Sequence, residues 1–242
     1  MKKKYRLTKE TIKYNLKTLY RIEALKDFAN VKKGDKGGFI ENENNLSHFG
    51  DCWVYDNAKV CGNSVVYGNA KIYDNAAIYD DVLVYGDAIV YGNATIYDNA
   101  KIYDNAKIYE NAMIYDCANI CGNAVVRGYA KVYDDAEIHD NTKVFGSAEV
   151  YNNAKIYGNV VVHESADICG NAIIYDYAEV CGNAKVYGCA KVHDKAKVYD
   201  DAEIYCRTEV YGNCLVYGDA QIYGDAKVCG NSKICGNTII CC

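Results

Sequence analysis

Ala100-Lys101-Ile102-Tyr103-Asp104-Asn105 is the stretch whose pattern sets the fold: small, polar, aliphatic, aromatic, then two turn formers. Alternation of period two makes a short strand, with Ala100 and Ile102 on one face and Lys101 and Tyr103 on the other. Asp-Asn tolerates the left-handed backbone that β-branched residues avoid, so the strand ends in a corner. Outward from this unit, every sixth residue from Val54 to Ile240 is Ile or Val, 32 positions without an exception or an insertion. Two residues before each stands a small side chain such as Ala70, Ala88, Ala124, Ala184 or Ala220, with Ser64, Thr142, Thr208, Ser232 or Cys214 as substitutes; only Val82 and Val160 are larger.

A strand of four residues cannot bury its apolar face alone. Stacking identical hexapeptides in successive coils closes an interior of Ile/Val ladders with alanine at the corners. The tandem [Ile/Val]-x-x-x-[Ala/Ser/Thr]-x pattern resembles the hexapeptide repeat of left-handed parallel β-helices. That resemblance implies an all-β, single-stranded left-handed parallel β-helix with triangular coils of three hexapeptides, so that each residue stacks on its counterpart three hexapeptides on. The left hand is implied by the resemblance alone, since parallel crossovers are generally right-handed. Upstream, Tyr5-Arg6-Leu7, Leu19-Tyr20-Arg21-Ile22-Glu23-Ala24-Leu25-Lys26-Asp27-Phe28, Lys33-Gly34-Asp35-Lys36-Gly37-Gly38-Phe39-Ile40, Leu46-Ser47-His48 and Gly50-Asp51-Cys52-Trp53-Val54-Tyr55 are similar to the start of YdcK-like hexapeptide proteins of bacteria and prophages, grouped with transferases by fold. Residues 1–50 are therefore expected to form a small β-rich cap with a turn over Gly34 to Gly38, and residues 51–242 the β-helix. The far end, Ile234 to Cys242, stops in mid-repeat, and is expected to be covered by another subunit or to fray.

Composition narrows the function classes. There is no proline, and 25 tyrosines stand against four phenylalanines and one tryptophan, the bias of a repeat. The net charge of −5 hides a basic head: residues 1–50 carry 12 Lys+Arg against 6 Asp+Glu, leaving a body of −11. An acidic body repels phosphate, so a nucleic-acid partner is not expected. No apolar run reaches membrane length and no leader pattern follows Met1-Lys2-Lys3-Lys4, so the expected place is the cytoplasm, with no membrane contact. Seven of the 13 cysteines (Cys61, Cys121, Cys169, Cys181, Cys229, Cys235, Cys241) take the slot that tyrosine fills elsewhere. None has another of the seven one coil away, so drift at an exposed slot is the expectation, with neither disulfide nor metal.

The resemblance to acyltransferases implies a catalytic histidine and loops that enclose a pocket. No insertion supplies such loops, and His48, His139, His163 and His193 read as surface histidines beside which no orienting partner or cleft can be placed. No phosphate loop or nucleophile elbow appears. Catalytic residues, metal ligands and cofactors are accordingly expected to be none. Stacking coil on coil instead writes out a strip, Tyr79, Tyr97, Tyr115, Tyr133 and Tyr151, beside a corner column of Asp80, Asp98, Asp116 and Asp134. Such tyrosines stabilise a sheet by stacking, and such aspartates serve turns; the sharper expectation is a binding and assembly face. Trp53, Ile89, Val125, Val161 and Leu215, interleaved with Lys71, Lys107, Lys143 and Lys197, make a second candidate face. The reading is a non-catalytic scaffold that forms a homo-oligomer or docks a host or phage protein. The alternatives are an acyltransferase-like enzyme with a site between subunits, and an acidic decoy that inhibits a nucleic-acid enzyme.

Overall fold

The computed structural model describes residues 3–241, and the chain groups into two compact units, Met1–Cys117 and Ala118–Cys242. Both are built of parallel β-solenoid coils. Among the described residues the only helical element is a 3-10 turn at Glu43–Asn45, so no helix is long and apolar enough to cross a membrane.

The first unit opens with β1 (Tyr5–Tyr14) and β2 (Lys17–Ala24), an antiparallel hairpin that turns at Asn15 and Leu16, both at positive φ. Strand β3 (Lys36–Ile40) pairs antiparallel with β2 and, on its other edge, parallel with β5 (Lys59–Val60) through Phe39↔Lys59 and Ile40↔Val60. The head thus starts the solenoid as well as covering it. The expected turn over Gly34 to Gly38 is corrected here. Gly34 turns at φ +95°, but Gly37 and Gly38 lie buried inside β3. A Cβ on either would stand 2.5 Å from the carbonyl oxygen of Val54 or Ala58, so glycine is what lets β3 approach the first repeats.

Trp53 on β4 (Trp53–Val54) also departs from the expectation of an exposed face: it is 1% exposed. Phe28 and Tyr5 meet it edge-on, with ring centroids at 5.3 and 6.1 Å. Nearby Lys4 is fully buried, its Nζ donating to the Cys52 carbonyl at 2.8 Å, and burial lowers its pKa. Cys61 is buried too, under Leu19, Phe39 and Tyr14, because the hairpin lies over the start of that column. Beyond the head, short strands join three ladders, exemplified by Val60↔Ile78, Ile72↔Val90 and Val66↔Val84.

Among the described residues the second unit holds 21 strands, from Asn119–Ile120 to Ile239–Cys241, in three parallel ladders of seven. Pairing recurs once per coil of three hexapeptides, as in Val144↔Val162 and Val162↔Val180. All 30 repeat positions from Val54 to Val228 are buried, with Ala, Ser, Thr, Cys or Val between them. Residues whose side chains face outward donate their backbone N–H to the coil that follows; Lys143 N reaches Val160 O at 2.9 Å and Phe145 N reaches Val162 O at 3.0 Å. The ladders therefore leave the outer faces hydrogen-bonded from rung to rung.

Corners do more than turn. The first corner residue is left-handed whether it is glycine or aspartate, as at Asp140 (φ +57°). Its carboxylate accepts the Gly158 N–H of the next coil at 3.0 Å, a bond repeated from Gly212 to Asp194 and from Gly218 to Asp200. The second corner residue forms amide ladders: Asn123 donates to Asn141 at 3.0 Å, and Asn141 to Asn159 at 3.2 Å. Asp140→Gly is expected to melt close to the parent, while Asp140→Val loses about 1–2 kcal/mol, because a β-branched residue resists the left-handed region that glycine adopts freely. Denaturant titration of both variants checks this, and equal stabilities would contradict it.

Candidate functional site

In the first unit the tyrosine strip is a stack. Tyr79 and Tyr97 lie 5.2 Å apart at 8°, and Tyr97 and Tyr115 lie 4.9 Å apart at 4°. In the second unit Tyr133 and Tyr151 lie 4.8 Å apart at 3°. One ring per rung at the interstrand spacing forces this offset stacking. The rings are half-buried. Tyr14 of the hairpin meets Tyr79 edge-on at 6.2 Å and so closes the start of the strip. The Tyr79 hydroxyl is pushed up to about 12, by burial first and then by the neighbouring tyrosines and aspartates. Tyr151 is raised as well, by its hydrogen bond with Cys169 first, and its hydroxyl donates to Asp167 Oδ2 at 3.4 Å.

The neighbouring aspartates are corner residues in the left-handed region: Asp80 at φ +65°, Asp98 at +58°, Asp116 at +53° and Asp134 at +55°. Asp134 Oδ2 accepts from the backbone and side-chain nitrogens of Asn152 at 3.1 and 2.7 Å. The structure thus gives this column a turn function; the sharper function, an assembly face, is taken up below.

Of the mixed-face residues, Ile89 is half-exposed and Lys107 fully out in the first unit, while in the second Val125, Val161 and Leu215 are half-exposed and Lys143 is fully out. Both stretches are dimpled rather than flat. A hollow of about 380 Å³ is lined by Tyr73, Asp74, Ile89, Tyr91 and Lys107, and one of about 460 Å³ by Glu179, Cys181, Lys197, Tyr199 and Leu215.

The histidines differ most from expectation, for each has a carboxylate beside it. His139 Nε2 lies 3.1 Å from Glu137 Oε2 while its Nδ1 lies 3.2 Å from Cys121 Sγ. His163 Nε2 lies 3.2 Å from Glu179, and His193 Nε2 3.3 Å from Glu209. The reason is geometric: the lysine-slot residue just before a tyrosine slot, or its counterpart one coil on, shares that outward face. Nor is the cysteine slot simply exposed, since Cys121 is buried and Cys169 and Cys181 are half-buried. Burial, aided by Glu179 and Glu164, pushes the Cys181 thiol up to about 11, against the opposing pull of Lys197. All twelve described cysteines are free thiols.

Two groups of potential ligands come together in the second unit, His163 with Glu164 and Cys181, and Asp176 with His193 and Asp194. The second lies beside a hollow of about 500 Å³ lined by Asp176, Tyr177, Asp194, Lys195, Gly212 and Asn213. His163 and Cys181 stand one coil apart, the same interval that stacks the tyrosines, so this signal was present in the sequence between unlike ligand types.

Among known families, residues 76–92 match the model described as the YdcK beta solenoid repeat. No curated protein matches the chain.

Proposed function

We propose that this chain, a YdcK-like β-solenoid repeat protein, is a non-catalytic rigid scaffold whose outward faces serve self-association. The observation that carries the reading is the rung-by-rung stack of Tyr79, Tyr97 and Tyr115, and of Tyr133 and Tyr151, on hydrogen-bonded ladders. Such rings are held in place before any contact forms. A partner therefore meets a surface whose ordering cost has already been met. Tyrosine is also the residue type that concentrates binding energy at interfaces.

A second copy of the chain is the matching occupant. In the first unit the strip offers the Tyr79 and Tyr97 rings and the carboxylates Asp80 and Asp98, while the mixed face offers Ile89 with the exposed amine Lys107. Strip against mixed face pairs unlike charges and aromatic with aliphatic surface, a heterologous contact that closes into a ring if the rotation allows.

Alanine at Tyr97, Tyr115 and Tyr133 together removes the aromatic area without touching the inward ladder. Sedimentation equilibrium is expected to show the parent as an oligomer that weakens with added salt. The triple variant should keep the parent's circular dichroism and dissociate at concentrations at least about tenfold higher. A folded triple variant that assembles like the parent would reduce the strip to a stacking ladder and leave a host or phage protein as the candidate occupant.

A further inference from the structure

We infer that His163, Glu164 and Cys181 form a binding site for a divalent late transition ion of the zinc type. The three come from one edge of two successive coils. His163 takes the tyrosine slot, Glu164 is the corner residue that follows it, and Cys181 takes the tyrosine slot one coil on. Their ligand atoms all lie within 4.8 Å of one another.

The donor set selects the ion. A thiolate, an imidazole nitrogen and a carboxylate suit zinc and its neighbours, whereas calcium and magnesium demand oxygen throughout. In a tetrahedral site with bonds of about 2.0–2.3 Å, donor atoms stand roughly 3.5 Å apart. Closing from 4.8 Å is within the reach of side-chain rotation, since His163 is half-buried and Glu164 exposed. No strand has to move.

The surroundings fit a metal centre on two further counts. Glu179 Oε1 stands 3.2 Å from His163 Nε2, so the carboxylate fixes that nitrogen's proton and leaves Nδ1 as the ligand. This is the outer carboxylate that orients metal-bound histidines. Glu164 is anchored in turn, for its Oε2 accepts the Gly182 N–H at 2.7 Å and leaves Oε1 for the ion. Cys181 also lines the hollow of about 460 Å³ with Glu179, Lys197, Tyr199 and Leu215. Three protein ligands beside an open hollow leave the fourth position to water or to a small anion drawn by Lys197.

Cobalt(II) is the probe, because thiolate ligation gives it a charge-transfer band and four-coordination gives it intense visible bands. The intact, reduced protein is expected to bind one equivalent with both features, and zinc should displace it. Cys181→Ser should abolish the charge-transfer band. His163→Gln should weaken binding at least about tenfold, and Glu179→Gln should weaken it by about 10- to 100-fold while keeping the band, as a positioning residue does. The group of Asp176, His193 and Asp194 holds no thiol and cannot produce that band. All variants should fold like the parent without metal, because every altered side chain faces outward and the inward ladder is untouched. Absence of the band in the parent, or a band of full strength in Cys181→Ser, would overturn the assignment.

Discussion

Deleting the single residue Asn183 is expected to unfold the coils that follow it, with a fall in melting temperature of roughly 10 °C or more. Asn183 is the second corner residue, between the left-handed Gly182 and the buried Ala184. Its loss shifts the next strand by one, which in a period of two turns Lys185 and Tyr187 inward and Val186 outward. The three strands of the coil that follows would also slip against their partners in the coil before, beginning with Val186, which pairs with Ile168. Removing the whole coil from Ser165 to Gly182 should do far less. That larger cut deletes one complete period of three hexapeptides, joins Glu164 to Asn183 as one corner, and returns every inward residue to an inward position. Thermal melts followed by β-type circular dichroism compare the two deletions. A one-residue deletion that melts like the parent, or a one-coil deletion that does not fold, would show that the three-hexapeptide period does not govern the fold.

The second large effect is expected at Val186→Asp, which places a carboxylate in the dry interior between Ile168 and Ile204, where Val186 is 0% exposed. Without a partner such a charge costs several kcal/mol, on the order of the chain's whole stability. Tyr187→Asp, one residue on, loses only the stack on Tyr205 at 4.9 Å, about 0.5–1.5 kcal/mol beyond area, together with some repulsion from Glu203. Urea titration should find the first variant unfolded or nearly so and the second folded. Equal damage from both would contradict the inward assignment of the Ile/Val ladder.

The parts of this molecule that repeat were legible in the sequence, because one geometric rule acts at every rung. The six-residue period placed Val54 to Val228 inside, although its last two positions, Ile234 and Ile240, are only half-buried, and the coil of three hexapeptides placed Tyr79 over Tyr97. The parts that do not repeat were not legible in the same way. Trp53 reads as outward in the period, yet Tyr5 of a hairpin distant in sequence and Phe28 beyond that hairpin cover it. Gly37 and Gly38 look like a turn until β3 is seen pressed on Val54 and Ala58. The carboxylates beside His139, His163 and His193 needed the outward columns to be read together, lysine slot with tyrosine slot. The pair His163 and Cys181 obeys the simple count but joins two residue types that are usually compared each with its own kind.

Amide hydrogen exchange on the intact chain tests most directly whether the repeats form rigid, register-locked ladders. Lys143, Phe145 and Ser147 donate to Val160, Val162 and Glu164 of the following coil at 2.9, 3.0 and 2.6 Å, and the same three positions donate in coil after coil. The expected result is strong protection that recurs every six residues within each unit and is lost cooperatively across neighbouring coils. Fast exchange at these positions, or protection in patches unrelated to the six-residue period, would contradict it.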